Sequence, residues 1–289
     1  MGAKPQYRTC HLDIMDFLHL QNRTIVVFGV ANRRSVAYAV HRVLEEAGAT
    51  LVHVVKDDSV RQSCRKLLGE RTVLTCDVGD ERQIAELADT LRDTTGEVHG
   101  VFHSIAFANY SEGLGAFHDT RREDFLQAMD ISCFSLTRIA HHLQPLLAPD
   151  ASIVTMSISS TRAAAENYGM MGPVKAALDS SVAFLAKSLG EGTNIRVNAV
   201  GAGLLKTSAS AGIPGYVDSY LYAEQVIPRR RALGTDEVAR TAAFLLSPAS
   251  SGINAQTVVV DAGMAINFFD KSIVCCVMGG TTTKKGNET

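Results

Sequence analysis

The sequence has no excess of basic residues, since 28 Lys and Arg stand against 30 Asp and Glu and the formal net charge is −2. Proteins that bind nucleic acid need clustered positive charge to neutralise phosphates, so we expect no nucleic-acid partner. A long apolar run is also missing from the carboxyl-terminal tail, whose most apolar part covers only residues 272–278. A helix needs about 20 apolar residues to cross a bilayer, and we expect no membrane partner.

Pairs of metal-binding residues are missing as well. None of the six cysteines forms a C-x-x-C pair, and the nine histidines show no paired helical spacing of the zinc-binding kind. Residues 1–20 mix acidic and basic side chains without an apolar run that resembles a signal peptide. We therefore predict free thiols in a reducing compartment, a cytoplasmic location and no metal site.

What the sequence does contain is enough apolar material for one large α/β domain, with 289 residues of which 46% are hydrophobic. Short apolar strands separated by helices are typical of a parallel sheet buried on both faces. Right-handed crossovers then give a single Rossmann-type, doubly wound, seven-stranded parallel sheet with helices on both faces. We assign residues 1–18 to an N-terminal extension, 19–269 to the Rossmann-fold domain and 270–289 to a partly disordered C-terminal tail.

The bounds of the predicted elements follow from apolar periodicity and capping residues. The strands are predicted at residues 24–28, 51–55, 72–76, 101–105, 152–156, 195–200 and 257–260. Thr120 and Glu123 match a capping box and predict one long helix that reaches about residue 147. The other helices are predicted at residues 35–47, 60–68, 82–91, from about 169–172 to about 190, and 235–246. Residues 204–234 lack a clear strand and are predicted to form a functional loop.

The turn after the first predicted strand suits a phosphate group. Gly29 allows the backbone to turn tightly and to approach a ligand, and the helix that begins at Ser35 offers free N–H groups and a positive dipole end. Asp77, after the third strand, either lies near an adenine ring or caps the next helix. The fourth strand ends at the topological switch point, where small residues let the backbone approach a cofactor: His103-Ser104-Ile105-Ala106.

Tyr168 and Lys175 form a candidate catalytic pair. Seven helical steps bring two side chains back to one face, and the pair follows the fifth strand at the carboxyl edge of the sheet. A tyrosine beside an ammonium group is expected to titrate below its usual pKa of about 10, which makes it a usable proton or hydrogen-bond donor. Pro173 costs little only in a first helical turn, so we expect regular helix to begin close to residues 169–172, with Tyr168 at its start.

These residues together resemble the short-chain dehydrogenase/reductase superfamily and, more closely, the bacterial enoyl-acyl carrier protein reductase family. Six residues separate Tyr168 from Lys175 where the classical superfamily has three, and Met171 stands at the classical tyrosine position. The resemblance covers roughly residues 20–268. Its other motifs are Gly29-Val30-Ala31-Asn32 with Ser35, Cys76-Asp77-Val78, His103-Ser104-Ile105, Asp130-Ile131-Ser132, Ile195-Arg196-Val197-Asn198-Ala199 and Ser208-Ala209-Ser210-Ala211-Gly212-Ile213.

The resemblance implies an oxidoreductase that reduces the carbon–carbon double bond of a trans-2-enoyl thioester with NADH or NADPH, as in fatty-acid elongation. The thioester carrier would be acyl carrier protein or CoA, and such enzymes are usually homotetramers. Tyr168 would stabilise the enolate oxygen and Lys175 would hold the nicotinamide ribose. Cofactor contacts are expected from Gly29, Ala31, Ser35, Val36, Lys56, Asp77, Val78, Ser104, Ile105, Ala106, Lys175, Gly203, Leu205 and Thr207. Substrate contacts are expected from Ile158, Tyr168, Ser208, Ala209, Ile213 and Tyr216, with residues 204–216 as a mobile lid.

The sequence departs from the family pattern at three positions. Many members carry a second tyrosine where Ile158 stands, a glycine in place of Ala106 and a proline in place of Leu204. These differences keep two other interpretations open: a short-chain dehydrogenase/reductase that acts on a carbonyl or alcohol, and a cofactor-binding homologue with weak or no turnover. The cofactor also stays open, because Lys56 favours a 2′-phosphate whereas the two aspartates that follow it would repel one.

Overall fold

A computed structural model describes residues 16–277 except 111, 112, 114, 166 and 167. Seven parallel strands form one sheet in the order β3-β2-β1-β4-β5-β6-β7, which confirms the predicted fold class. The strands are β1 (Thr24–Phe28), β2 (Thr50–Val55), β3 (Val73–Thr75), β4 (Val98–His103), β5 (Leu147–Ile158), β6 (Arg196–Ala202) and β7 (Thr257–Val260).

Helices cover both faces of the sheet in the described part of the chain. One apolar cluster joins the sheet to α3, α5 and α6, and a second joins its opposite face to α1, α2 and α8. The helices are α1 (Val36–Glu46), α2 (Asp58–Leu68), α3 (Glu81–Thr94), α4 (Arg122–Met129), α5 (Ser135–Leu143), α6 (Met171–Gly190), α7 (Tyr216–Val226), α8 (Thr235–Leu246) and α9 (Lys271–Val277). None of the described helices is long and apolar enough to cross a membrane.

The fourth strand ends two residues earlier than predicted, at His103. The His103 ring is fully buried and hydrogen-bonds with the hydroxyls of Thr155 and Ser135. The residues that follow, Ser104 and Ile105, leave the sheet and line a cavity at its carboxyl edge. The sequence prediction extended the strand to Ile105 because the apolar run continues to that residue. In the structure the strand ends at His103, whose side chain is held by the two hydrogen bonds.

The prediction of one long helix over residues 120–147 is wrong, because this stretch is divided into four segments. After α4 the chain makes a π-helical turn over Asp130–Phe134, continues as α5 and ends in a 3₁₀ turn. The predicted capping box is also wrong: the Thr120 hydroxyl donates to the carbonyl of Phe117, and the Glu123 carboxylate pairs with Arg121. The π turn is tied to the loop after β4, since the Ser132 hydroxyl contacts both the N–H and the carbonyl of Phe107.

Residues 204–234, predicted as a loop, contain α7. Gly215 precedes this helix with a φ of +69°, a left-handed conformation that glycine adopts at little cost. Ala223 and Val226 are the buried residues of α7, which is too small an apolar face for a clear periodic pattern. Helix α9 lies within the predicted tail, and residues 278–289 lie outside the described part of the chain, as do residues 1–15 of the predicted extension.

A buried arginine closes the carboxyl end of α8. The Arg196 guanidinium, only 6% exposed, donates to the carbonyls of Leu245, Ser247 and Ser250 and to the Ser250 hydroxyl. The last carbonyls of a helix have no partner inside it and carry partial negative charge, so a cation there both satisfies and stabilises them. This contact fixes the carboxyl end of α8 against the amino end of β6.

Candidate active site

A cavity of about 320 Å³ lies at the carboxyl edge of the sheet, where β1 and β4 are neighbours and their connections run to opposite sides. In a doubly wound sheet this switch point is the place where ligands bind. The walls combine strand ends, the start of α1 and the segment after β6. Its lining residues are Phe28, Gly29, Ala31, Ser35, Val36, Val54, Val55, Lys56, Cys76, Asp77, Val78, Ser104, Ile105, Ala106, Phe107, Ile131, Met156, Lys175, Thr207, Ser208 and Ala209.

The turn between β1 and α1 forms a backbone cradle. Gly29 has a φ of +93°, and a Cβ placed on it would lie 2.0 Å from the carbonyl oxygen of Ser104. Only glycine therefore fits between the two loops. Ser35 caps α1, accepting from the Tyr38 N–H at 3.4 Å, and its hydroxyl donates to the Asn32 carbonyl at 2.7 Å. A tight glycine turn that leads into a helix N-terminus fits the pyrophosphate of a dinucleotide.

Below this turn a buried thiol supports the backbone. The Cys64 Sγ lies 3.4 Å from the carbonyl oxygens of both Val30 and Ala31. Burial raises the pKa of this thiol, so it stays protonated and acts as a donor. The Cys64 thiol thus provides a hydrogen-bond donor to the carbonyls of the turn and stabilises its conformation.

Asp77 and Lys56 lie together at one end of the cavity. The Lys56 ammonium is 3.6 Å from the Asp77 carboxylate. Asp80, and not Asp77, caps α3, so the capping interpretation of Asp77 is wrong; its carboxylate instead accepts from the Gly79 N–H at 3.0 Å. Asp57 caps α2 by accepting from the Val60 N–H at 2.9 Å.

Tyr168 and Lys175 flank the start of α6, as predicted. The carbonyl of Tyr168 accepts from the Met171 N–H at the first residue of the helix. Lys175 is only 4% exposed, and its ammonium donates a 2.7 Å hydrogen bond to the Met156 carbonyl at the end of β5. Burial lowers the pKa of Lys175 to about 8, so the group titrates near neutral pH.

The predicted lowering of the Tyr168 pKa is wrong. Burial raises it, and the neighbouring phenols of Tyr110 and Tyr216 raise it further. Desolvation dominates because the Lys175 ammonium is directed to the Met156 carbonyl rather than to the Tyr168 phenol. Tyr168 is therefore a neutral phenol at physiological pH, a hydrogen-bond donor that keeps its proton until an acceptor of high basicity is present.

A buried polar network supports the site from beneath. The two ring nitrogens of His103 contact the Thr155 hydroxyl at 2.8 Å and the Ser135 hydroxyl at 3.0 Å, and the Ser135 hydroxyl donates to the Ile131 carbonyl. Burial and the Lys175 charge lower the pKa of His103 to about 3, so the ring is neutral. The network joins β4, β5 and the π turn, and it positions Ile131 at the cavity wall.

The structure brings most of the predicted site residues together. Those that line the cavity are Gly29, Ala31, Ser35, Val36, Lys56, Asp77, Val78, Ser104, Ile105, Ala106, Lys175, Thr207, Ser208 and Ala209. Within the described part of the chain, the predicted residues outside this lining are Ile158, Tyr168, Gly203, Leu205, Ile213 and Tyr216. The Tyr216 phenol contacts the backbone N–H and carbonyl of Leu205 at 2.9 and 2.8 Å, so it braces the start of the predicted lid. A Cβ on Gly203 would lie 3.0 Å from the Asp261 Cα, which makes Gly203 a packing position.

Sequence reasoning missed several lining residues: Phe28, Val54, Val55, Cys76, Phe107, Ile131 and Met156. Phe28 and Val55 end their strands, so the rule that ligands bind at the carboxyl ends of parallel strands was enough to find them. Ile131 gives no such signal, because its place at the wall depends on the π turn.

A doubly wound sheet with a glycine cradle at its switch point and a buried lysine beside it defines a Rossmann-type, NAD(P)-dependent oxidoreductase. A family model described as "Enoyl-(Acyl carrier protein) reductase" matches residues 29–265. The chain belongs to this family, and the predicted family and enzyme class are confirmed.

Curated relatives and solved structures agree with this assignment. Staphylococcus aureus enoyl-acyl-carrier-protein reductase (NADPH) FabI is 38% identical over 85% of this chain and 98% of the relative, and the Bacillus subtilis FabI named for NADH is 38% identical over 86% and 97%. The Aquifex aeolicus reductase structure superposes with a TM-score of 0.83 at 32% identity, over 87% of this chain and 99% of that chain. The Bacillus cereus reductase, solved with NADP+, gives 0.81 at 36% identity, over 86% and 98%. Relatives named for either cofactor occur, so the cofactor is NADH or NADPH, as predicted.

Proposed function

We propose that this protein reduces the carbon–carbon double bond of a trans-2-enoyl thioester with NADH or NADPH, as a step of fatty-acid elongation. The observation that carries the proposal is the placement of Lys175 in the wall of the cavity that also contains the glycine cradle, with Tyr168 at the start of the same helix. The cradle suits a dinucleotide, and the neutral phenol suits an acceptor that gains negative charge during the reaction.

The cofactor contacts are the part of the proposal with the most geometric support. Gly29 and Ser35 would hold the pyrophosphate, because the turn presents backbone N–H groups and a helix N-terminus. Asp77 and Lys56 would lie beside the adenosine end, and Lys175 would hold the nicotinamide ribose through its ammonium. The reduced nicotinamide supplies the hydride when bound. Gly203 and Leu205 would contribute to the cofactor site through their backbone positions at the start of the lid.

Tyr168 would donate a hydrogen bond to the thioester oxygen. Negative charge develops on that oxygen as hydride adds to the β-carbon, and a phenol that remains protonated can stabilise it. The raised pKa of Tyr168 supports donation rather than action as a base. The substrate contacts proposed for Ser208, Ala209 and Ile213 lie on the segment after β6, and those for Ile158 and Tyr216 flank it.

The reaction type is tested by giving the purified protein a crotonyl thioester and, separately, an acetoacetyl thioester, and following the absorbance of the reduced NADH or NADPH. We expect oxidation with the crotonyl thioester. Oxidation with the keto substrate alone would favour the carbonyl or alcohol alternative. Cofactor binding without turnover of enoyl thioesters of any length would favour a cofactor-binding homologue. The departures from the family pattern at Ile158 and Ala106 are the reason for that alternative.

The carrier and the location form a finer proposal. Acyl carrier protein or CoA would present the thioester, and the protein would act in the cytoplasm. Support comes from the free cysteines Cys64, Cys76 and Cys133, which are buried as thiols. Comparison of kcat/KM for the same acyl chain on the two carriers decides between them, and fractionation of the source cells tests the location.

We further propose a homotetramer built from two surfaces. Leu126 and Phe134, about half exposed, lie on the stretch of α4 and the π turn, and Val259 and Ile266 are exposed near β7. Apolar side chains exposed on helices and at a sheet edge are typical of interfaces. Sedimentation at micromolar concentration should give a tetramer, and a monomer would contradict the proposal.

We also propose that residues 19–269 form the folded domain, with residues 1–18 and 270–289 peripheral to it. Leu20 is fully buried, which supports a start close to residue 19. The tail is attached at its beginning by an ion pair between Arg230 and Asp270. A chain limited to residues 19–269 should retain cooperative thermal unfolding, and loss of that transition would move the boundary.

A further inference from the structure

Tyr110 carries a buried hydroxyl with no hydrogen-bond partner among the described residues. A phenol that loses water without gaining a partner is unfavourable, so a buried hydroxyl of this kind requires a reason. Burial also raises the pKa of Tyr110, which keeps the phenol neutral and able to donate. The backbone of the same residue is satisfied, since its carbonyl accepts from the Gly113 N–H at 2.9 Å.

The position of Tyr110 in the fold places it beside the candidate catalytic phenol. It belongs to the loop that leaves β4 at the switch point, three residues after Phe107 at the cavity wall. Its ring packs against the same apolar cluster as Tyr168 and Ile105. The two phenols are close enough for the charge on Tyr110 to act on the ionisation of Tyr168.

Two other polar groups of the site are already engaged by backbone atoms, whereas the Ser157 hydroxyl in β5, like that of Tyr110, has no partner among the described residues. The Tyr216 phenol is held by the backbone of Leu205. Lys175 donates to the Met156 carbonyl. Ile158, at the end of β5, offers no donor. Of the two phenols that act on Tyr168, Tyr110 is therefore the one whose proton is not used within the described protein.

We propose that the Tyr110 hydroxyl is a second hydrogen-bond donor to the thioester oxygen of the enoyl substrate, acting beside Tyr168. This inference rests on the proposed function. The carbonyl oxygen would satisfy the orphaned hydroxyl on binding, and the hydrogen bond would strengthen as negative charge develops on the oxygen. Tyr110 keeps its proton throughout, so it contributes by orientation and charge stabilisation and takes no part in proton transfer.

The test compares Tyr110→Phe with wild type and with Tyr38→Phe. Tyr38 is a matched control because it is also a half-buried phenol, but it packs on the opposite face of the sheet and stacks on His41. For Tyr110→Phe we expect kcat/KM with a crotonyl thioester to fall at least tenfold, by loss of one oxyanion donor. The Kd for NADPH or NADH should change by less than about twofold, and the midpoint of thermal unfolding should not fall, because the hydroxyl removed has no partner.

Binding of a substrate analogue gives a second readout that does not need turnover. Titration calorimetry with butyryl-CoA in the presence of oxidised cofactor should show at least about threefold weaker binding to Tyr110→Phe than to wild type. Tyr38→Phe should bind the analogue as wild type does. Absence of turnover in wild type would count against the proposed function. The affinity for butyryl-CoA would still test whether Tyr110 contacts the acyl thioester.

Two outcomes would overturn the inference. If Tyr110→Phe keeps wild-type kcat/KM and wild-type affinity for butyryl-CoA, the phenol has no contact with the acyl thioester. If instead the substitution lowers the unfolding midpoint and weakens the cofactor and the analogue alike, Tyr110 has a structural role only.

Discussion

The Lys175 ammonium donates a 2.7 Å hydrogen bond to the backbone carbonyl of Met156. This contact crosses from α6 to the carboxyl end of β5, and it directs a buried charge to the floor of the candidate cofactor cavity. The carbonyl compensates only part of the lost hydration, so burial lowers the pKa of Lys175 to about 8. A group that titrates there links cofactor binding to pH.

The direction of the pH dependence of cofactor binding follows from which form of Lys175 binds the cofactor. Because the ammonium is the form that would hold the ribose hydroxyls, cofactor affinity should be constant well below pH 8 and fall as pH rises through about 8. The loss should approach tenfold per pH unit above that value. Calorimetric titration of cofactor between pH 6.5 and 9.5 measures it. Lys175→Arg stays charged and should give a flat profile; a flat profile in wild type would contradict the assignment.

Tyr168→Phe removes the proposed donor to the enolate oxygen and leaves the ring in place. We expect kcat with a crotonyl thioester to fall about 10²- to 10³-fold, the usual effect of losing one oxyanion donor. The cofactor Kd should stay within about twofold, because Lys175 and the glycine cradle are unchanged. Tyr222→Phe is the control, since that phenol is exposed. Unchanged turnover in Tyr168→Phe would remove the phenol from the mechanism.

Gly29→Ala should disrupt the cradle. The new Cβ would lie 2.0 Å from the Ser104 carbonyl oxygen, and the φ of +93° is unfavourable for alanine. Together these effects should destabilise the fold by about 3 kcal/mol and abolish cofactor binding. Gly252→Ala is the control, since apart from its own chain neighbours no atom of the described residues lies within 4 Å of its added Cβ. Urea unfolding and cofactor titration measure both effects; equal stability of the two variants would be inconsistent with the close approach.

The buried imidazoles of His41 and His53 predict an acid-sensitive fold. Their ring nitrogens lie 3.0 Å apart, and burial, with the charge of His41 next, lowers the pKa of His53 to about 4. As pH falls, His53 is therefore protonated at a higher pH in the unfolded chain than in the folded chain. The neutral ring contributes stability above pH 6.5, and this contribution is lost as pH falls from about 6.5 to about 4.

A shift of this size corresponds to about 3 kcal/mol. Urea unfolding across that pH range should thus show a steeper loss of stability for wild type than for His53→Gln. His118→Gln, which changes an exposed ring, should follow wild type. Parallel curves for wild type and His53→Gln would show that the His53 pKa is not lowered by folding.

Much of the fold was predictable because it depends on short-range patterns. The β-branched run of β1, the Ser35 cap and the proline in the first turn of α6 each act over a few residues, and their predicted bounds agree closely with the structure. The glycine cradle and most of the cavity lining were predictable for a related reason. Parallel strands deliver their carboxyl ends to one edge, so residues after strands meet there.

The errors have two causes. Thr120 and Glu123 have the spacing of a capping box, but other local partners, the Phe117 carbonyl and Arg121, take their side chains instead. The π turn depends on contacts between Ser132 and Phe107, which are 25 residues apart. No local pattern contains such information.

The sequence by itself determined the doubly wound sheet, the place of the candidate cofactor site and the identity of the candidate pair, because apolar periodicity, glycine and capping residues act locally. Only the tertiary structure decided how that pair titrates. Neighbours from other elements desolvate Tyr168 and Lys175, and desolvation moves both pKa values against the charged form. The orphaned hydroxyl of Tyr110 is likewise a tertiary fact, since a phenol shows its lack of a partner only when the chain has folded around it.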